Sequence, residues 1–307
     1  MTPRRNRAVA TTDRQRTLAL AAEVAPTRSP RPGLLRLLIR RKASAVGLAI
    51  CLLTVVVAVV APVLAPYDPI KIAPTVILKP PSAAHWFGTD ELGRDVLTRI
   101  IFGARVSIAV GAIAVTIALC CGIVFGMISG YYGGWSGAII MRTMDALAAF
   151  PAILLALAIL SALGPGIRNA MIAIGVVYVP AFSRVVRGSV LSVKQNEYVE
   201  AARASGATTA AIMRKAIFPN CASPLLVHAS LGFANAIIVE AALAFLGLGA
   251  QPPTASWGAM LSDGRQFLNQ NIWYSISAGA AIFITVLGLN LLGDGLRDIL
   301  DPRLRST

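Results

Sequence analysis

Ionisable and amide side chains inside long apolar segments are the residues of this sequence most able to do chemistry. Glu240 lies in the outer half of the apolar segment 223–246, and Asn235 and Asn290 lie at other depths of such segments. Ionisable groups at membrane depth are costly and usually face a bundle interior or a water-filled cavity. Glu240 therefore has two interpretations: part of a polar path or gate, or a buried carboxylate satisfied by neighbouring backbone or an arginine. Asn235 and Asn290 are secondary candidates for the same path.

Motifs for ATP hydrolysis and for hydrolytic catalysis are absent from the sequence. It has no G-x-x-x-x-G-K-S/T phosphate loop, no G-x-S-x-G turn and no H-E-x-x-H helix. The two histidines, His85 and His228, fall on opposite sides of the predicted membrane. The four cysteines lie in or beside apolar spans without ligand spacing: Cys51, Cys120, Cys121 and Cys221. We expect no catalytic residue, no metal site, no disulfide and no cofactor.

Composition indicates a membrane protein. Hydrophobic residues make up 56% of the chain, charged residues 14%, and the mean hydropathy is +0.70. A soluble domain carries about 25% charged residues, and crossing a bilayer as a helix takes about 20 apolar residues. The sequence predicts an all-α protein with six transmembrane helices. The predicted spans are about 43–63, 106–129, 139–163, 168–186, 223–246 and 277–292.

The distribution of basic residues predicts the orientation. Residues 1–42 carry eleven Lys or Arg against only Asp13 and Glu23, and further basic residues follow the fourth and sixth spans. Because such residues are retained on the cytoplasmic side, we expect both termini to be cytoplasmic. The alternation of spans places loop 67–104 outside. Topology and anionic lipid headgroups explain the net charge of +14 better than nucleic acid does.

Glycines and charges within the spans predict packing contacts. Gly122, Gly126 and Gly130 have the small-xxx-small spacing of closely packed membrane helices. We expect them to pack spans within this chain or against a partner, and not to touch solute. Arg142 and Asp145, three residues apart, are expected to form an interfacial ion pair, with a gating role as the alternative.

Prolines and capping residues predict where helices end or bend. Prolines from Pro62 onward are expected to end the first span, and Thr89 or Asp90 is expected to cap a short helix in the outer loop. Pro151 and Pro180 are expected to kink the third and fourth spans.

The segment 197–220 is polar and alanine-rich, although it lies between two apolar spans. Small side chains let another backbone approach closely, and Gly206 allows a sharp turn or close packing. Glu200 can pair with Arg203 or with a partner's groove, or can merely cap this helix, while Pro219 is expected to close the loop. We interpret the segment as a docking helix on the cytoplasmic side.

Four stretches match the signatures of one family of membrane proteins. They read EAARASG at 200–206, HWFGTDELGRDVLTRIIFGARVSIAVG at 85–111, EAALAFLGLGAQPPTASWG at 240–258 and GDGLRDILDPRLR at 293–305. They resemble the permeases of the dipeptide/oligopeptide/nickel ABC importers, specifically the C-type permease subunit. The resemblance covers about residues 43–305.

This resemblance implies a type I ABC importer permease in the bacterial plasma (inner) membrane, moving dipeptides or oligopeptides by alternating access. The implied partners are a second homologous permease, one or two ABC ATPase chains and an extracytoplasmic solute-binding protein. The implied ATPase-coupling residues are Glu200, Ala201, Ala202, Arg203, Gly206 and Pro219. The implied division is a tail at 1–42, a first helix at 43–66, an outer loop with a short helix at 67–104, a five-helix core at 105–297 containing the loop at 197–220, and a cytoplasmic end at 298–307.

Other functions have less support. An ion-coupled secondary transporter usually shows paired halves and midplane ionisable groups, whereas this sequence has no convincing internal repeat. A membrane-embedded protease needs a nucleophile and base at matching depth, which the spans do not supply. Within the importer class, a nickel chelate or glutathione remains an alternative cargo.

The predicted topology can be checked by labelling single cysteines in intact membranes. Cysteines introduced near Ser82 and Pro252 should react with an impermeant reagent from outside, and one near Lys194 only from inside. Labelling of the Lys194 and Pro252 sites from the same face would show that the span count is wrong.

Overall fold

The computed structural model describes residues 34–300, and in this part of the chain the regular elements are helices. The α-helices are α1 Leu34–Arg40, α2 Lys42–Leu64, α3 Val96–Tyr131, α4 Gly134–Ala148, α5 Ala152–Leu163, α6 Ile167–Val193, α7 Glu197–Ala204, α8 Thr209–Ile212, α9 Phe218–Phe245, α10 Trp257–Arg265 and α11 Ile272–Leu300. A 3₁₀ turn lies at Pro74–Val76 and a π-helical segment at Met213–Ile217. The all-α prediction is confirmed. The Arg-rich tail up to residue 33 and the residues from 301 onward lie outside the described range.

Five helical segments are long and apolar enough to cross a membrane: α2, α3, α6, the continuous run Thr209–Phe245 and α11. The pair α4 and α5 passes the same test together, which gives six spans if the pair counts as one. The predicted spans correspond to these elements in order.

The third predicted span is broken, not merely kinked. Helix α4 stops at Ala148, α5 starts at Ala152, and their axes differ by 94°. Pro151 has extended backbone angles and precedes the first residue of α5, a position where its missing N–H costs no helical hydrogen bond. Pro180, by contrast, lies inside the continuous helix α6. Pro62 likewise lies inside α2, which runs on to Leu64, so the helix ends after this proline and not at it.

The outer loop does not contain the separate short helix expected from Thr89 or Asp90. The helix begins at Val96 and continues into the membrane as α3 for 36 residues, and the Asp95 carboxylate caps it by accepting from the Thr98 N–H at 2.8 Å. Gly93 has a φ of +75°, which prevents a helix from starting at Asp90. Asp90 instead accepts the backbone N–H groups of Leu92 and Arg94.

Helices α3 and α6 pack closely in the core, through the glycines at 122, 126 and 130. A Cβ on Gly126 would lie 2.5 Å from the Val186 Cβ, and one on Gly130 would lie 2.8 Å from the Val190 Cβ. A Cβ on Gly122 would meet Phe182. The prediction that these glycines pack spans within the chain is therefore confirmed.

Replacing Gly126 by alanine should destabilise the protein, because overpacking a tight contact costs about 1–3 kcal/mol. Gly188 on the same helix pair is the matched control, since its Cβ would have no atom within 4 Å. Gly188→Ala should be neutral or stabilising, because alanine is the better helix former by roughly 0.5–1 kcal/mol. Thermal unfolding of the purified complex in detergent measures both. Equal midpoints for the two variants would contradict the tight contact.

Candidate functional site

The polar segment between α6 and α9 is folded into two short helices joined by a turn. The first helix, α7, has Glu197 and Glu200 in its first turn and Arg203 in its last, an arrangement that complements the helix dipole. Val199 is fully buried, whereas Glu200 and Arg203 are exposed. Helix α7 therefore attaches to the protein by one face and presents the other to its surroundings.

Gly206 ends α7 in a Schellman turn. Its φ is +79°, its N–H donates to the Arg203 carbonyl at 3.0 Å, and the Ala207 N–H donates to the Ala202 carbonyl at 3.1 Å. This turn needs a residue in the left-handed conformation, which glycine adopts without strain. A Cβ on Gly206 would have no atom within 4 Å. The backbone conformation, and not crowding within this chain, therefore explains the glycine.

The second half of the segment continues directly into the fifth span. The Thr208 hydroxyl caps α8 by accepting from the Ala211 N–H, and the π segment Met213–Ile217 connects α8 to α9 without a break. Pro219 lies in the first turn of α9 and is exposed. The chain is already helical from Thr209, so the expectation that Pro219 closes the loop is wrong. Proline is tolerated here because its missing N–H falls beside the π segment, where the α-helical hydrogen-bond pattern is already interrupted.

Buried apolar side chains fix the segment to the core. Val199, Ile212 and Ile217 join the cluster formed by α3, α6 and α9. The Asn220 amide also donates to the Tyr198 hydroxyl at 3.2 Å, which links the start of α9 to α7. The segment is therefore packed firmly against the ends of α6 and α9 that adjoin it.

The predicted coupling residues are divided by exposure. The exposed ones are Glu200, Ala201, Arg203, Gly206 and Pro219, while Ala202 is half-buried and packs against the core. Within the described part of the chain, no ion pair joins Glu200 to Arg203. Both charges therefore remain available to a partner.

Glu240 is buried near the C-terminal end of α9, with only 1% of its surface exposed. The hydroxyls of Ser107 on α3 and Ser256 at the start of α10 lie near its carboxylate, but neither carboxylate oxygen makes a hydrogen bond of standard geometry. Asn235 on the same helix is exposed and thus faces elsewhere, and Asn290 on α11 is half-buried. The structure does not bring these three residues together on one surface.

A buried ionic network at the end of loop 67–104 and the start of α3 was not predicted. Asp90 is fully buried and accepts from Arg94 Nε at 2.6 Å, while Arg99 Nε lies 3.3 Å from the same carboxylate. The Asn271 amide donates to the Thr89 carbonyl at 3.0 Å. This network holds the outer loop against the beginnings of α3 and α11. The charges were visible in the sequence, but their pairing depends on the turns around Gly93.

Helix α10 completes this outer layer. Burial raises the pKa of Asp263, and the nearby Glu91 raises it further. The Trp257 indole donates to the Ile100 carbonyl at 2.9 Å and covers Gly103. The outer ends of α3 and α10 are thus locked together.

The predicted Arg142–Asp145 pair is not formed. Asp145 pairs with Arg184 on α6 at 3.1 Å instead, because α4 packs against α6 through Met144 and Ser183 and brings the next residue of each helix together. Across residues 34–300, no group of three or more His, Cys, Asp and Glu side chains is placed to hold a metal ion.

Two family models match the chain. The model described as "Binding-protein-dependent transport system inner membrane component" matches residues 122–306, and the one described as "N-terminal TM domain of oligopeptide transport permease C" matches residues 33–81.

Curated relatives align along most of the chain. The dipeptide transport system permease protein of Alkalihalophilus pseudofirmus is 48% identical over 87% of this chain and 88% of its own length. The di/tripeptide transport system permease protein of Pseudomonas aeruginosa is 46% identical over 85% and 88%. The glutathione transport system permease protein of Pectobacterium atrosepticum is 47% identical over 74% and 75%.

Solved structures share the fold at low sequence identity. An inward-facing structure of the MetNI methionine ABC transporter matches at 18% identity with a TM-score of 0.55, over 67% of this chain and 97% of that chain. The family-model match over more than half of the chain and the identity to full-length relatives settle the family. The chain belongs to the binding-protein-dependent transport system inner-membrane components, and it is a permease subunit of an ABC importer, not an enzyme.

Proposed function

We propose that this permease imports short peptides. The supporting observation is the identity of 48% and 46% to relatives named for dipeptide and di/tripeptide transport. The glutathione permease is almost as similar, at 47%, and glutathione is itself a small peptide. Overall identity therefore does not separate these cargoes, but it favours a peptide over an unrelated solute. A nickel chelate remains the second alternative within the importer class.

The cargo can be tested by uptake of a labelled dipeptide in cells that contain the whole importer. Deletion of this permease should abolish binding-protein-dependent uptake, and the intact gene should restore it. Unlabelled di- and tripeptides should compete with the labelled substrate. Competition by glutathione or a nickel chelate, without competition by ordinary dipeptides, would contradict the proposed cargo.

The exposed face of α7 and the turn at Gly206 form the docking site for an ABC ATPase. Support comes from the division of this segment between a buried side, held by Val199, and an exposed side with small residues and two unpaired charges. The small side chains of Ala201 and Gly206 admit a close-fitting groove, and Glu200 and Arg203 can pair with groove residues. Pro219 lies at the far end of the segment and contributes to the same exposed side.

The other partners follow from the family. A second homologous permease completes the path through the membrane, one or two ATPase chains bind on the cytoplasmic side, and a solute-binding protein delivers peptide on the outer side. The basic residues flanking the spans support cytoplasmic termini in the inner membrane, where they contact anionic lipid. The outer loop and α10 then form the side that faces the binding protein.

Glu240 belongs to the outer gate. Its carboxylate lies where α3, α9 and the start of α10 meet, and it has no hydrogen bond of standard geometry. A buried polar group without a partner is costly. This cost favours a separation of the three elements, because separation would hydrate Glu240. Asn235 and Asn290 contribute to the path at other depths.

Gly206→Glu should uncouple the importer from its ATPase. A Cβ at this position meets no atom of its own chain, so steric interference is expected at the partner's groove, beside the backbone strain of a non-glycine residue at this φ. Uptake should fall to background, and the purified complex should lose its ATPase or the solute-stimulated part of ATP hydrolysis, while the two permeases still pair.

Two further variants separate docking from backbone strain. Gly206→Asn keeps a residue that tolerates the left-handed conformation and should retain most coupling. Ala201→Glu adds bulk at an exposed helical position without strain and should uncouple. A Gly206→Glu complex with full ATPase retention and normal transport would refute the docking site.

Glu240→Gln should change uptake several-fold without loss of assembly, because it removes the charge and keeps the size. Initial uptake rates and the amount of purified complex should be measured together. Wild-type uptake at normal expression would assign Glu240 a structural role only. Loss of the complex would also assign Glu240 a structural role.

A further inference from the structure

A cavity of about 500 Å³ lies between α6, α9 and α11. Most of its lining comes from the first half of α9, while α6 contributes Val185 and α11 contributes Arg297 and Leu300. Asn220 belongs to the lining, and its amide donates to the Tyr198 hydroxyl of α7 at 3.2 Å. The cavity therefore adjoins the segment that carries α7, and its volume is within the range of small-molecule sites, roughly 300–1,000 Å³.

Three polar side chains of the cavity have no hydrogen-bond or ion-pair partner in the described part of the chain. They are Ser223 and His228, which are half-buried, and Arg297, which is exposed. The His228 ring only contacts the Phe182 ring, at 4.7 Å between centroids. Asp294 lies one turn before Arg297 without pairing with it. A hydroxyl, an imidazole and a guanidinium are thus free to meet a ligand in one cavity.

The backbone adds an acceptor at the same place. Pro224 lies inside α9 and lines the cavity. Because proline has no N–H, the Asn220 carbonyl four residues earlier lacks its usual helical donor. A ligand N–H or O–H group can replace that donor.

The remaining lining is apolar. Val227, Leu231 and Leu300 contribute to it. Apolar walls with a few convergent polar groups are the usual construction of a small-molecule site, in which the polar groups fix the orientation of the ligand.

A second cavity, of about 200 Å³, shows that unpaired polar groups are not a general property of the cavities of this chain. Its lining includes Tyr67 and Asp95. The Tyr67 hydroxyl donates to the Ala84 carbonyl at 2.7 Å, and the Asp95 carboxylate accepts from the Thr98 N–H at 2.8 Å. Both polar groups are already satisfied within the chain.

We propose that the cavity between α6, α9 and α11 binds a small amphipathic oxyanion. Its carboxylate or phosphate group lies against Ser223 and Arg297, whose guanidinium fork matches such groups, and its apolar part packs on Leu231 and Leu300. A short peptide and an anionic lipid both have this chemistry. The site does not depend on the proposed cargo, because it requires only an oxyanion joined to an apolar group.

Binding of the dipeptide leucyl-leucine tests the soluble form of the ligand. The whole importer, without its binding protein, is placed in nanodiscs of phosphatidylcholine and titrated by calorimetry. The amide of leucyl-leucine lacks the carboxylate and should bind about tenfold more weakly, as should the dipeptide to Arg297→Gln. Arg214→Gln is the matched control, because Arg214 is exposed near the start of α9 and does not line the cavity. This variant should bind like the wild type.

Nanodiscs that also contain phosphatidylglycerol test the lipid form. Native mass spectrometry should then find phosphatidylglycerol retained by the wild type and by Arg214→Gln, but lost from Arg297→Gln. Arg297-dependent binding of the dipeptide alone would identify a soluble ligand, and retention of the lipid alone would identify a lipid ligand. Absence of Arg297-dependent binding for both probes would overturn the proposal.

An occupant of the cavity should also slow ATP hydrolysis. It would resist relative movement of α6, α9 and α11, and the bond from Asn220 to Tyr198 would pass this restraint to α7. This consequence rests on the proposed docking of an ATPase at α7. The probe that binds should lower the hydrolysis rate of the wild-type complex several-fold and have little effect on Arg297→Gln. Unchanged hydrolysis in a complex that binds the probe, and that Gly206→Glu still uncouples, would reject this regulation while the docking site stands.

Discussion

The contact between α3 and α6 depends on three glycines spaced four residues apart. Each one lets a bulky side chain of α6 sit where a Cβ would otherwise be, as Val186 does at Gly126 and Val190 at Gly130. Helix α6 carries Arg184 and leads at its C-terminal end into α7. A shift of this contact would therefore displace the Asp145–Arg184 ion pair and the segment 197–217 together. The position of both sites depends on backbone approach that only glycine permits.

The packing of the segment 197–217 would let it transmit force from the proposed docking site. The face of the segment that points away from the core has small residues and free charges. On the opposite face, Val199, Ile212 and Ile217 continue the apolar core. Packed cores shift between discrete arrangements and resist continuous deformation. A partner that pushes on α7 would thus move the ends of α6 and α9. A flexible loop could not transmit such a movement. The continuous helix from Thr209 to Phe245 extends the effect across the membrane.

Much of this architecture could be predicted from the sequence, because membrane helices leave a strong signal in hydropathy and in small-residue spacing. The helical class, the order of the spans and the role of Gly122, Gly126 and Gly130 followed from these patterns. Local chemistry also identified Gly206 as a turn residue. The coupling role of the segment and the path role of Glu240, Asn235 and Asn290 stay predictions.

Pairings between distant residues could not be predicted in the same way. Arg142 was a reasonable partner for Asp145 by helical spacing, but α4 packs so that Arg184 is nearer. The Asp90 network depends on turns whose geometry is decided by Gly93, and the 94° break between α4 and α5 is larger than the kink that Pro151 alone predicts. Such features arise when several elements meet, so spacing along one helix does not determine them.

The exposed surface of this chain is of two kinds, apolar side chains on regular helices and polar groups. Exposed leucines and valines on a regular helix such as α2 lose nothing in contact with lipid, because no polar group is left unsatisfied. Exposed ions and interrupted backbone, as at Asp145 and the α4–α5 break, are stable only beside water or protein. Such polar surface therefore marks where this subunit does not face lipid tails.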